Sequence, residues 1–150
     1  MSLLIREATE ADLPGVLALY GQSGLDNSAV LTVAQAREVF QQFARYPSYR
    51  LFVACEPAFP DSVIATYALL VMHNLAHCGA PSAIAEDVVV HPQRQGKGIG
   101  RQLMAHAIEQ AREAGCYKLA LSSNAKRQAA HAFYESLGFQ RHGLSFVIET

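Results

Sequence analysis

The segment at residues 91–101 reads HPQRQGKGIGR and follows an apolar run that has the length of a strand. Its three alternating glycines permit a sharp turn and the close approach of a ligand, because glycine has no Cβ. Apolar residues then recur at helical spacing, and the free N–H groups and the dipole of a helix start favour an anion. Lys97 and Arg101 add positive charge. The segment therefore predicts a site for the pyrophosphate of a small ligand.

Two other nucleotide-binding loops fit this segment poorly. A Walker loop requires Ser or Thr directly after its lysine, whereas Gly98 follows Lys97. A dinucleotide fingerprint requires G-x-G-x-x-G and an acidic residue about 20 positions later. Here the glycines read G-x-G-x-G, and the next predicted strand ends without an acidic residue. A helix-start turn with incidental glycines stays open as the alternative without a ligand.

The flanking sequence predicts a single α/β domain over residues 1–150, with the order β-α-α-β-β-β-α-β-α-β-β. Short apolar runs between turn signals predict strands at 3–5, 51–55, 63–75, 83–90, 118–122, 139–140 and 145–148. Apolar residues at helical spacing predict helices at 9–20, 32–44, 99–114 and 126–137, the first of them capped by Thr9. The second to fourth strands are close enough in sequence to form an antiparallel meander.

Composition and charge argue against several classes of protein. Hydrophobic residues make up 51% of the chain and charged residues 17%, which supports one folded core. The net charge is −1 and the Lys and Arg residues are scattered, so we expect no nucleic-acid partner. The longest apolar run is too short for a bilayer, and early acidic residues argue against a signal peptide. Three cysteines without a CxxC pair are typical of a reduced, cytoplasmic protein.

Three segments also carry recognisable motifs. Residues 95–100, QGKGIG, fit the pattern Q/R-x-x-G-x-G/A position for position. Residues 86–92, EDVVVHP, read as the strand that leads into that pattern, and residues 130–139, AHAFYESLGF, fit A-x-x-F-Y-x-x-x-G-F. Together with the order of the elements over nearly the whole chain, these motifs resemble the GNAT superfamily of N-acetyltransferases.

This resemblance implies the GNAT acyl-CoA N-acyltransferase fold, a mostly antiparallel sheet that splays between its fourth and fifth strands and has four flanking helices. It implies acetyl-CoA as cosubstrate. The backbone of Val88, Val89 and Val90 would pair with the pantetheine arm, and residues 119–124 would form the opposite wall. The pyrophosphate would be held by the N–H groups of Gln95, Gly96, Lys97, Gly98, Ile99, Gly100 and Arg101.

The resemblance also assigns two further side chains. Tyr134 would lie near the thioester sulfur, where its O–H can act as the general acid for the leaving thiolate. The alternative is a core tyrosine packed beside Phe133. The position of the superfamily's pantetheine-binding Asn is occupied by Arg127, and Asn124 is the expected substitute.

Glu86 and Asp87 are adjacent carboxylates on an apolar strand and are candidates for the base. Side chains alternate along a strand, so only one of the two can face the cleft. In a regular strand Glu86 shares a face with the valines at 88 and 90, and apolar walls would raise its pKa. Glu86 is therefore the predicted base and Asp87 the structural residue. A β-bulge would reverse these roles.

These assignments predict an enzyme that transfers acetyl directly to a primary amine of a small acceptor, such as an amino sugar, an aminoglycoside-like compound, a polyamine, an amino acid or an aminoalkylphosphonate. A peptide or protein amine stays possible, and so does a non-catalytic acyl-CoA-binding sensor. Loops such as 25–28 and 73–81 would shape the acceptor pocket. The histidines are single or unsuitably spaced for metal ligation, so no metal is expected. A homodimer is possible.

Overall fold

The computed structural model describes residues 1–46 and 48–150, which form two compact units, Met1–Ala120 and Leu121–Thr150. The larger unit contains a five-stranded sheet in sequence order: β1 Leu4–Glu7, β2 Tyr49–Glu56, β3 Phe59–Met72, β4 Ser82–Val90 and β5 Leu119–Ala120. Strands β1 to β4 are antiparallel to their neighbours, and β4 and β5 are parallel. The helices are α1 Leu13–Ser23, α2 Val33–Gln42, α3 Ile99–Glu113 and, in the smaller unit, α4 Gln128–Ser136. The predicted mixed, mostly antiparallel α/β fold is confirmed.

Side chains of β2 and β3 alternate between the two faces of the sheet, and helices cover both faces. Leu51, Val53 and Ala68 belong to the core that α1 and α2 cover. Their neighbours Phe52 and Tyr67 point to the opposite face, where they contact His106 of α3. The sheet is therefore buried on both faces along these two strands, which explains their near-continuous apolar sequence.

An ion pair ties β1 to the start of α1. Arg6 Nη1 donates to Asp12 Oδ2 at 2.7 Å and Arg6 Nη2 donates to Asp12 Oδ1 at 2.8 Å, while Asp12 is only 4% exposed. Asp12 Oδ2 also accepts from the Thr9 N–H at 2.8 Å and closes the single 3-10 turn Glu10–Asp12. Helix α1 consequently begins one turn later than Thr9 alone predicts.

Helix α2 begins with a reciprocal pair of hydrogen bonds at Thr32. Its Oγ1 accepts from the Gln35 N–H at 3.2 Å, and Gln35 Oε1 accepts from the Thr32 N–H at 3.0 Å. This capping box satisfies two donors at the helix start. No helix within the described ranges is long and apolar enough to cross a bilayer.

The predictions for the last thirty residues need correction. The strands predicted at 139–140 and 145–148 are wrong, because the structure assigns no strand there and leaves Phe146, Val147 and Ile148 at least 85% exposed. The strand predicted at 118–122 shrinks to Leu119–Ala120. A β-prone sequence becomes a strand only where a neighbouring strand pairs with it, and hydrophobicity alone does not report that partner. The single domain over 1–150 stays a prediction.

Candidate active site

The segment between β4 and α3 turns through two left-handed glycines. Gly96 has φ 76° and Gly98 has φ 78°, and Gly98 is the residue that immediately precedes α3. A Cβ at either position would meet no atom within 4 Å, so the backbone conformation and not the available space favours glycine here. The conformation turns the chain sharply into the helix.

The start of α3 offers free donors at the protein surface. The first helical bond at this end runs from Gln102 N to Gly98 O at 3.2 Å, so the N–H groups of residues 99–101 precede it. Ile99 is buried and anchors the turn, whereas Lys97 and Arg101 are exposed. Backbone donors, the helix dipole and two cations thus meet in one turn, which suits a diphosphate.

Strand β4 presents an open edge beside this turn. Strand β5 pairs with β4 only at Ala83 and Ile84. Within the described ranges, residues 85–90 have strand partners on the β3 side alone, where Val89 pairs with Thr66 and Val90 with Ala65. The backbone groups on the other edge of residues 85–90 therefore have no partner strand among the described residues, which is what a ligand that pairs like a strand requires.

Strand β4 carries a β-bulge at Asp87. The pairing with β3 moves from Thr66–Val89 to Ala68–Glu86, so Asp87 and Val88 together oppose a single residue. Asp87 has φ 52°, which is uncommon for a residue other than glycine. The bulge resets the alternation of the strand, and this is the condition under which Asp87 exchanges roles with Glu86.

The Asp87 carboxylate lies among acidic and phenolic groups. Partial burial raises its pKa above the usual aspartate value, and the charge of Asp26 raises it further. Burial and the Asp87 charge both raise the pKa of Tyr20 on α1. Burial raises the pKa of Tyr49 on β2, and so do the charges of Asp87 and Glu86. Asp87 therefore interacts electrostatically with groups on α1, on β2 and in the segment after α1.

Asp26 lies in a strained segment that connects α1 to α2. Three successive residues, Asp26, Asn27 and Ser28, have φ values of 47°, 54° and 67°. Left-handed conformations of residues other than glycine cost free energy and cluster at functional sites. Residues 25–28 are among those that the sequence predicts at the border of the acceptor pocket.

Sequence reasoning did not single out Tyr20, Tyr49 and Asp26, the groups that interact electrostatically with Asp87. Tyr20 belongs to the apolar stripe of α1, where a tyrosine reads as a core residue. Tyr49 and Asp26 stand in no motif. The charge of Asp87 acts on Tyr49 across the intervening strand β3, so no local sequence pattern could have indicated this relation.

In the smaller unit, Tyr134 projects from α4 among aromatic rings. Its ring meets that of Phe133 at 5.2 Å and that of Phe139 at 5.9 Å between centroids, both in edge-on contacts. Burial raises the pKa of Tyr134, and the nearby Arg127 only partly opposes this effect. The phenol is consequently protonated at neutral pH, as a proton donor must be.

Asn124 makes local contacts in the turn before α4. Its Oδ1 accepts a hydrogen bond from the Lys126 N–H at 2.9 Å. Its backbone oxygen lies 2.8 Å from His131 Nε2. These bonds fix the turn and hold the carboxamide oxygen within it.

The comparison with known families identifies the class of protein. The family described as the Acetyltransferase (GNAT) family matches residues 18–139. The chain belongs to the GNAT family. It is 32% identical over 144 residues to "Probable glucosamine 6-phosphate N-acetyltransferase 2" of Oryza sativa subsp. japonica, which covers 95% of this chain and 83% of the relative.

Two further relatives, both named as acetyltransferases, agree with this assignment. The aminoalkylphosphonate N-acetyltransferase of Salmonella typhimurium is 39% identical over 85 residues, 57% of this chain and 54% of the relative. The solved structure of a proposed acetyltransferase from Agrobacterium tumefaciens str. C58 superposes with a TM-score of 0.88 at 39% identity, over 100% of both chains. The GNAT resemblance, the fold and the N-acetyltransferase class expected from the sequence are confirmed.

The residues of this GNAT enzyme fit acetyl-CoA, the acetyl donor that the family uses. The left-handed glycine turn presents donors for a diphosphate, and the open edge of β4 presents backbone groups for amides of a pantetheine arm. Within the described ranges, no cluster of three or more His, Cys, Asp or Glu side chains could hold a metal ion.

Proposed function

We propose that this N-acetyltransferase moves the acetyl group of acetyl-CoA directly to a primary amine of a small molecule. One observation carries the proposal: a strand that has an unpaired backbone edge and a β-bulge at a carboxylate is followed within six residues by a left-handed glycine turn at a helix start. The acceptors we expect are amino sugars, aminoglycoside-like compounds, polyamines, amino acids and aminoalkylphosphonates. The rice and Salmonella relatives are named for two of these classes.

Residues 95–101 hold the diphosphate of the donor in this proposal. The N–H groups of residues 99–101 lie at the start of α3, those of residues 95–98 lie in the turn before it, and Lys97 and Arg101 supply charge beside them. The backbone of residues 88–90 pairs with the pantetheine arm, and Asn124 contacts the same arm. When bound, acetyl-CoA supplies an activated acetyl group and a thiolate leaving group.

Asp87 takes the proton from the attacking amine. A free alkyl amine has a pKa of about 10.4 and is mostly protonated at neutral pH, so a base is required. The acidic surroundings favour the ammonium form of the acceptor, and the raised pKa of Asp87 makes it a better base. The bulge at Asp87 supports this choice over Glu86, the base predicted for a regular strand.

Tyr134 protonates the leaving thiolate. Its phenol is protonated at neutral pH and can donate this proton to the sulfur as the thioester bond breaks. A free thiol has a pKa of about 8.5, below that of the phenol, so the tyrosinate takes up a proton again after the transfer. The reaction runs in one step of acetyl transfer without an acyl-enzyme. We further propose a cytoplasmic enzyme that acts without nucleic acid or membrane, with a homodimer as a possible assembly.

The test is a screen of primary amines in which release of the CoA thiol is followed with a chromogenic disulfide. We expect turnover with at least one small amine and none with a matched secondary N-acetylated product. Tight CoA binding without turnover on any small amine or peptide would instead support a non-catalytic sensor. Turnover confined to peptides would assign a peptide or protein acceptor.

A further inference from the structure

A buried hydrogen bond joins the strand position opposite the bulge to helix α3. The Tyr67 hydroxyl lies 2.7 Å from His106 Nδ1, and Tyr67 is fully buried. Tyr67 is the residue of β3 that opposes Asp87 and Val88, because the pairing register changes between Thr66 and Ala68. His106 lies about two turns into the helix that begins at the glycine turn.

Aromatic packing holds both partners in place. The Phe52 ring stacks on Tyr67 with centroids 5.2 Å apart and meets His106 edge-on at 4.9 Å. The Arg50 guanidinium covers Phe52 at 5.0 Å from its centroid. Two aromatic neighbours and one hydrogen bond thus restrict sliding of α3 along the sheet at this point.

The protonation states of the two groups suit the bond. Burial lowers the pKa of His106, and the positive charge of Arg50 lowers it further, so the imidazole is neutral at neutral pH. Burial raises the pKa of Tyr67, so the phenol keeps its proton. The hydroxyl can therefore donate to a free lone pair on Nδ1, with the single N–H proton of the neutral imidazole on Nε2.

We infer that Tyr67 and His106 are positioning residues that fix the distance between the diphosphate turn and the bulged strand. Both half-sites must bind one ligand: the diphosphate at residues 95–101 and the pantetheine arm at residues 88–90. This inference rests on the proposed coenzyme A site. Neither side chain touches the donor; each acts through the elements that do. A ligand that spans both half-sites is sensitive to their spacing, whereas a ligand of one half-site is not.

The test compares Tyr67→Phe with the wild-type enzyme, using three ligands measured by calorimetry or NMR titration. CoA spans both half-sites, ADP presents only a diphosphate, and pantetheine presents only the arm. We expect the Kd of CoA to rise about tenfold, while the Kd values of ADP and pantetheine change by less than about twofold. The KM for acetyl-CoA rises in parallel.

Three variants control for a loss of folding. His106→Asn keeps an acceptor near the position of Nδ1 and should preserve most of the CoA affinity, whereas His106→Leu should match Tyr67→Phe. Val53→Ala lowers stability in the core on the opposite face without touching the bond, and should leave all three affinities unchanged.

Two outcomes overturn the inference: unchanged CoA affinity in folded Tyr67→Phe and His106→Leu, or a parallel loss for all three ligands. Failure of the proposed coenzyme A site is distinguishable, because the wild-type protein would then bind none of the three, whereas failure of the transfer reaction alone would leave CoA binding intact and the amine screen negative.

Discussion

At the scale of single residues, the adjacent carboxylates of β4 make opposite predictions. Asp87→Asn should lower kcat/KM by about 100-fold or more, because it removes the base, whereas Glu86→Gln should change it little.

The rate should fall as the pH drops through the raised pKa of Asp87, since only the carboxylate accepts a proton. A pH profile of kcat/KM checks this: the acidic limb should lie above the usual aspartate range and vanish in Asp87→Asn. A large loss in Glu86→Gln and a small one in Asp87→Asn would instead identify Glu86 as the base.

Asp87→Asn should lower the activity without lowering the stability of the fold. The pKa of Asp87 is higher in the folded protein than in the unfolded chain. The free energy of unfolding therefore falls as the pH rises from the unfolded pKa through the folded pKa. Asp87→Asn removes this cost, so we expect its thermal midpoint at pH 7 to equal or exceed that of the wild type. Melting curves that show a clear loss of stability would mean that the carboxylate has a structural role.

Tyr134 makes a separate prediction. Tyr134→Phe removes the proton donor but keeps the ring among its aromatic neighbours. We expect kcat to fall about 100-fold with unchanged CoA affinity, measured by steady-state kinetics and calorimetry. Tyr117→Phe, at an exposed tyrosine that precedes β5, is the control and should behave as the wild type. Unchanged turnover in Tyr134→Phe would remove this residue from the mechanism.

At the scale of elements, the two ends of α3 provide a matched pair of glycines. Gly98 at the start and Gly115 after the end have φ values of 78° and 75°, and neither has an atom within 4 Å of a built Cβ. An alanine at either should cost about 1–2 kcal/mol of stability, because both impose a left-handed backbone. Only Gly98→Ala should also raise the KM for acetyl-CoA. Equal effects on this KM would argue against the turn as the diphosphate site.

The elements also show where sequence reasoning succeeds and where it stops. The alternating glycines, the helical spacing of apolar residues after Thr32 and the apolar runs of β2 to β4 are local signals, and they predict these elements with small errors at the ends. The bulge depends on how many residues of β4 face those of β3, which no segment of β4 specifies alone. The strands predicted after α4 failed for the same reason, because a strand requires a partner.

At the scale of the whole molecule, acid should weaken the attachment of β1 to α1. Arg6 holds the pKa of Asp12 below its usual value, so the stability from this pair is present above the unfolded pKa and lost as the pH falls through the folded one. Asp12→Asn should cost about 2 kcal/mol at pH 7, less than a fully buried pair because Arg6 reaches solvent. Urea unfolding at pH 7 and in acid should show this difference shrink as the pH falls; a constant difference would assign the loss to the Thr9 turn instead.

The extra residue in β4 has a consequence for how this enzyme can vary. The direction of the Asp87 carboxylate is encoded by the number of residues between two pairing points, and not by the identity of any one of them. Substitutions at Val88 therefore leave that direction intact, whereas deletion of this one codon would restore regular alternation and turn the acid away. Lineages of this chain should accordingly tolerate many exchanges along the strand and almost no change in its length.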